Sequence, residues 1–137
     1  MSVDKKVFVD TNLWIYSYSS DELKKHDRAR EIIDQNNVVI STQVLNEFSN
    51  VLNKKFKSPW LAVEMAIAEI TASSSVVLVT TDTIQAAIAI AERYNFSYYD
   101  SLIISSALEN NCEYLYSEDL AHTQKIEASL YIINPFK

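Results

Sequence analysis

An α/β fold, a three-layer α/β/α sandwich with a central and mainly parallel sheet, is what two patterns in this chain predict. Short Val- and Ile-rich runs (Val7-Phe8-Val9, Val38-Val39-Ile40, Val76-Val77-Leu78-Val79) lack polar alternation, as strands do when both faces of a sheet are covered. They alternate with longer segments of helical period, the order that yields parallel strands joined by crossovers. No repeat, low-complexity tract or linker breaks this order, so residues 1–137 read as a single domain.

The first strand is Lys6–Val9. Helical segments follow near Asn12–Tyr18 and Asp21–Gln35, and strand Val38–Ile40 leads to a helix over Gln43–Lys55. Ser58-Pro59 opens another helix, with proline at the first helical position, which runs to about Ser73. Strand Val76–Val79 precedes helix Thr83–Tyr94, for which Asp82 reads as the N-cap, and then helix Ser101–Glu109. Tyr114–Tyr116 and Tyr131–Ile133 are the closing strands, with a short acidic turn after the first. The chain has no glycine, so left-handed helix ends fall to Asn36-Asn37, Asn95 and Asn110-Asn111.

The same absence excludes Gly-rich phosphate loops, and with them P-loop hydrolases, protein kinases and dinucleotide-fingerprint enzymes. One cysteine, Cys112, excludes an internal disulfide framework and a cysteine-rich zinc site; it reads as a packing residue. No apolar run approaches the roughly 18 residues of a membrane span, and no signal-peptide core is present, so a cytoplasmic protein without membrane contact is expected. The net charge is −6, unevenly spread: residues 1–57 balance at +1 and residues 58–137 at −7. That asymmetry is either a basic rim facing an acidic pocket or ordinary solvated charge.

Four carboxylates stand out. Asp10 follows the first strand, and Asp119 follows Tyr114–Tyr116 at what should be the same sheet end, where sites in open parallel sheets assemble. Each is also a common strand-to-helix turn residue. Glu47 falls on the flank of the apolar stripe Val44, Leu45, Phe48, Val51 and Leu52, half-buried and costly without a partner; a salt-bridged edge position is the alternative. Asp100 begins a helix whose inner face is Ile103, Ile104, Ala107 and Leu108. It reads as an N-cap that also projects inward. Thr11, Asn12 and Ser117 are short polar neighbours able to orient these carboxylates. Glu118 is expected to face away from Asp119, and His26 and His122 lack ligand spacing and read as surface residues. Four converging carboxylates repel one another unless cations neutralise them, and hard oxygen donors suit Mg²⁺ or Mn²⁺.

The order of these segments resembles the PIN-domain ribonucleases, and within them the toxin subunits of VapBC toxin–antitoxin systems. Val7-Phe8-Val9-Asp10-Thr11-Asn12 looks like the opening strand with its metal-binding aspartate. Gln43-Val44-Leu45-Asn46-Glu47-Phe48 is similar to the helix carrying the family's glutamate. Phe96-Ser97-Tyr98-Tyr99-Asp100-Ser101-Leu102-Ile103 resembles the third acidic motif, and Leu115-Tyr116-Ser117-Glu118-Asp119-Leu120 the fourth, which favours Asp119 over Glu118. Ile132-Ile133-Asn134-Pro135-Phe136 looks like an ending found in one branch. One departure is Thr123, where relatives often carry glycine.

The resemblance implies a Mg²⁺- or Mn²⁺-dependent endoribonuclease whose catalytic and metal-holding residues are Asp10, Glu47, Asp100 and Asp119. It implies in-line attack by a water of lowered pKa, leaving 5′-phosphate and 3′-hydroxyl ends. A structured RNA such as a tRNA or a ribosomal RNA loop is the implied substrate. Lys24, Lys25, Arg28 and Arg30, with Lys54, Lys55 and Lys57, could hold phosphates, although the last three also suit a helix C-terminus as cations. A homodimer inhibited by a small antitoxin is the implied assembly. Two alternatives stand beside it. A Mg²⁺-dependent phosphohydrolase of another class would want a second acid where Asn12 stands, and a non-catalytic module of the same fold would be expected to lack one of the four acids.

Overall fold

The computed structural model describes residues 5–137. β1 (Lys6–Val9) runs into α1 (Thr11–Tyr18), whose N-cap is Asp10. Trp14 is fully enclosed under the sheet, and its indole Nε1 donates to the carbonyl of Val9 at 3.1 Å, so the one polar atom of that ring is satisfied. α2 (Leu23–Gln35) then leads to β2 (Asn37–Ser41). The next strand–helix unit is α3 (Thr42–Lys54), α4 (Trp60–Ser73) and β3 (Ser75–Val77). α5 (Thr81–Tyr94) and α6 (Tyr98–Glu109) return the chain to β4 (Tyr114–Tyr116), and β5 (Lys125–Ile126) and β6 (Leu130–Ile133) close it.

The six strands lie in the order β3-β2-β1-β4-β6-β5. All neighbouring pairs are parallel except β5 with β6, which bears out the mainly parallel sheet. From β1 the chain steps outward to β2 and β3, then crosses back to β4 on the other side of β1. Right-handed crossovers therefore place α1–α4 on one face and α5–α6 on the other. The strand order reverses between β1 and β4, and the crevice beyond their carboxyl ends is where such sheets bind ligands. Val7, Phe8 and Val9 are wholly enclosed, together with Phe48, Ile40, Ile104, Leu115 and Ile132. Each such side chain contributes about 1.5–3 kcal/mol by its removal from water.

Several cap assignments differ from the sequence reading. Thr80, not Asp82, caps α5, in a reciprocal pair with Thr83. Ser97, not Asp100, caps α6: its Oγ accepts from the Asp100 amide at 3.2 Å, leaving Asp100 in the first turn. Pro59 is the N-cap of α4 and not its first residue. Asn95 and Asn111 take left-handed φ of 61° and 58°, as expected, while Asn36 is extended. β3 lies one residue earlier than Val76–Val79 and ends two residues sooner. The β5–β6 hairpin was not anticipated. Its turn has Glu127 and Ala128 at φ 51° and 61°, with Ser129 N donating to Ile126 O. Positive φ at both central residues is the type I′ pattern, normally signalled by Asn-Gly or Asp-Gly.

Candidate active site

Three consecutive residues at the mouth of β1 gather three of the four acids. Asp10 is 9% exposed. Its Oδ1 accepts from the Thr11 amide at 2.7 Å, and its Oδ2 accepts from Ser117 Oγ at 2.9 Å. The Asp10 amide donates to Tyr116 O at 3.0 Å, so β4 is laced to β1 up to the point where the site begins. Thr11 uses its hydroxyl elsewhere: Oγ1 donates to Glu47 Oε1 at 2.6 Å. Asn12 Nδ2 donates to Asp119 Oδ2 at 2.7 Å, and the Asp119 amide donates to Ser117 Oγ at 3.3 Å. The short polar neighbours expected from sequence thus do hold carboxylates, but each of Thr11 and Asn12 reaches across to a different element.

The N-terminal turn of α6, which carries Asp100, approaches this group from the opposite layer. α6 runs back toward the start of β4, so its N-terminal turn lies at the carboxyl edge of the sheet. The link is Gln43, which the sequence reading passed over. Gln43 Nε2 donates to Glu47 Oε2 at 3.3 Å and to the carbonyl of Tyr99, the residue before Asp100, at 3.2 Å. Its signal in the sequence is its place one helical turn before Glu47.

Burial pushes the Asp10 carboxyl up to about 6, against the lowering effect of the Thr11 and Ser117 hydrogen bonds. Glu47 and Asp119 raise it further, and both of those neighbouring charges are negative. A buried carboxylate surrounded by like charge is a donor set that fits a divalent cation. Among the described residues, however, no three carboxylate, imidazole or thiol groups stand close enough together to form a ready cage. Glu47 and Asp119 are turned onto Thr11 and Asn12 instead. Holding an ion would require turning those side chains away from these donors.

The other singled-out residues divide. Glu118 faces away, as expected: Lys25 and the Tyr16 hydroxyl both donate to it. Burial alone would raise the Glu118 carboxyl, but those two hydrogen bonds and the lysine charge hold it below the ordinary glutamate range. Lys25 lies over the Tyr16 and Phe136 rings at 4.9 and 5.3 Å. Arg28 pairs with Glu31, and Arg30 with Asp34 at 2.7 Å, so of the four cations of α2 only Lys24 is without an ion pair among the described residues. Lys54, Lys55 and Lys57 are exposed at the end of α3, and Lys55 lines a cleft with Asn12, Tyr16 and Phe56 beside the acidic mouth. His26 Nδ1 lies 2.9 Å from Tyr16 O, and His122 Nδ1 accepts from the Asn134 amide at 3.0 Å; neither has a carboxylate partner among the described residues. Cys112 is buried, and burial raises its thiol to about 12 despite the opposing Lys6 charge.

The family model described as PIN domain matches residues 7–125. Among solved structures, VapC20 of Mycobacterium tuberculosis, a Sarcin-Ricin loop cleaving toxin, aligns with a TM-score of 0.69 at 23% identity, covering 82% of this chain and 89% of that one. A toxin–antitoxin complex from Klebsiella pneumoniae aligns with a TM-score of 0.72 at 17% identity, covering 94% and 97%. VapBC2 from Rickettsia felis, bound to a DNA fragment from its promoter, aligns at 0.60 and 16%, covering 83% and 88%. No curated protein matches the chain.

Proposed function

The chain belongs to the PIN domain family, and from that membership and the geometry at the mouth of β1 we propose that it is a metal-dependent endoribonuclease, the toxin subunit of a VapBC-type pair. The observation that carries this reading is the buried, negatively surrounded Asp10 at the switch point of the sheet. Asp10 and Asp100 hold the principal Mg²⁺ or Mn²⁺ in this reading, Glu47 assists, and Asp119 helps to hold a second. Such ions, when bound, neutralise the scissile phosphate and acidify the attacking water.

The remaining work falls to the chain. Ser117 Oγ and the Thr11 amide fix both oxygens of Asp10, so its orientation is set before any ligand arrives. Thr11 Oγ1 and Asn12 Nδ2 keep Glu47 and Asp119 at the crevice while the site is empty of substrate. Each bond is to a neutral donor, so each carboxylate retains its charge for the cation. The substrate is structured RNA, approached along the exposed cations Lys54, Lys55 and Lys57. The chain acts as one nuclease domain over residues 1–137.

An antitoxin and a second copy of the chain are the proposed protein partners. The support is α4, which exposes Trp60, Leu61 and Met65 at 65%, 66% and 64%, an apolar face suited to a protein interface. The toxin–antitoxin assemblies among the structural neighbours support the same reading. Among the described residues no helix is long and apolar enough to cross a membrane.

The reading is tested with purified protein and a folded RNA. Cleavage should require Mg²⁺ or Mn²⁺, stop with EDTA, and leave 5′-phosphate ends. Asp10→Asn should lower it by at least about a hundredfold, the scale on which removal of one buried electrostatic contributor acts. Undiminished cleavage by Asp10→Asn, or cleavage indifferent to EDTA, would refute the assignment.

A further inference from the structure

We propose that Gln43 is a positioning residue of the acidic site: its amide nitrogen straps Glu47 to the N-terminal turn of α6, the turn that carries Asp100. The proposal rests on the cation-binding reading above and extends it to a residue outside the four acids.

The orientation of the Gln43 amide follows from its neighbours. Both polar atoms within reach, Glu47 Oε2 and Tyr99 O, are acceptors. Only the NH₂ end of the amide can serve them, and its two hydrogens are then both in use. A flipped amide would set its oxygen against a carboxylate and a carbonyl, so this assignment is forced by chemistry and not by a choice of labels. Oε1 is thereby driven to the other side of the group, where it is buried and, among the described residues, has no donor.

A buried acceptor without a partner calls for a water or an ion. Around Gln43 the side chain already engaged is a carboxylate, and the carbonyl it grips belongs to the residue before another. A divalent ion of the Mg²⁺ class would keep several waters when bound by few carboxylates, and such waters would be donors of the kind that Oε1 lacks. The same contacts explain why an amide and not a lysine or an acid stands here. Lysine would neutralise Glu47 and compete with the cation, and a carboxylate would offer nothing to Tyr99 O. Gln43 leaves the negative charge of Glu47 intact while tying it to the turn that carries Asp100.

The test is a titration of metal-free protein with Mn²⁺, followed by the free-ion electron paramagnetic resonance signal, with no RNA present. Wild type, Asp10→Asn, Gln43→Leu and Gln43→Met are compared. Gln43→Leu and Gln43→Met should each bind Mn²⁺ roughly tenfold more weakly, the lower end of the effect of removing a residue that orients metal ligands. Their metal-free Tm should stay within about 2 °C of wild type, and RNA cleavage should lose kcat with KM little changed. Mn²⁺ affinity equal to wild type in both variants, while Asp10→Asn loses binding, would overturn the role of Gln43 and leave the cation reading standing. Weak Mn²⁺ binding accompanied by a large fall in metal-free Tm in both variants would make Gln43 a packing residue and overturn it also. Wild type binding no better than Asp10→Asn would overturn the cation reading, and this inference with it.

Discussion

Asp10 carries a cost that the metal-free fold bears at neutral pH. Its carboxyl titrates near 6 when folded, above the ordinary 3.8, so the native state holds that proton more tightly than the unfolded chain. Its effect on stability is therefore absent below about pH 4, grows as pH rises toward 6, and levels off above, at about 3 kcal/mol by the size of the displacement. Asp10→Asn keeps the shape and does not titrate. In urea unfolding of metal-free protein, the two forms should be alike near pH 4 and diverge between pH 4 and 6, with Asp10→Asn the more stable. A difference that ignores pH would contradict the burial argument. Asp10, Asp119 and Glu47 were legible in the sequence because strand ends and helix faces have fixed periods. Gln43 and the reach of Asn12 to Asp119 were not, because which distant side chain meets which donor depends on tertiary packing that no local spacing records.

Secondary elements show the same division. β1, α6 and β4 could be placed from apolar period alone, whereas caps went astray wherever several Ser, Thr and Asp residues compete. Thr80 prevails over Asp82 because Thr83 returns its hydrogen bond, a reciprocity invisible until the helix start is known. Thr80→Ala should cost about 1 kcal/mol in chemical denaturation, while Asp82→Ala should cost less. The β5–β6 hairpin escaped because Glu127-Ala128 is not a turn signal. It is held instead by side chains from α5: Arg93 and the Tyr94 hydroxyl each donate to Glu127 Oε2 at 2.7 Å. Thr123 sits at φ 68°, a region that a β-branched residue enters only with strain. Thr123→Gly should stabilise the protein by up to about 1 kcal/mol, the left-handed cost less the added chain entropy of glycine. A destabilised Thr123→Gly in thermal unfolding would mean that the surrounding loop relieves the strain.

For the molecule as a whole, the uneven charge resolves into two kinds of cation. Those on α2 are mostly spent on neighbouring acids, while Lys54, Lys55 and Lys57 are exposed at the end of α3, with Lys55 lining the cleft that reaches Asn12. Replacing these three lysines by alanine should weaken RNA binding and flatten its salt dependence by about 2 in log–log slope. Arg28→Ala with Arg30→Ala should change either far less. Equal effects from the two sets would place the RNA across α2. The fold class follows from elements that alternate along the chain, whereas the strand order does not, because alternation leaves open on which side of β1 each later strand is added; the chain without glycine makes its turns with left-handed Asn, Thr, Glu, Ala and Lys residues. The central claim is that Asp10, at the end of β1, and Asp100, on α6, hold one ion, with Glu47 of α3 assisting and Asp119 after β4 helping to hold a second. Anomalous diffraction at the manganese edge, from crystals grown with Mn²⁺, tests this most directly. A peak is expected within bonding distance of both Asp10 and Asp100, lost in Asp10→Asn. No peak at that mouth, or one that survives Asp10→Asn, would contradict it.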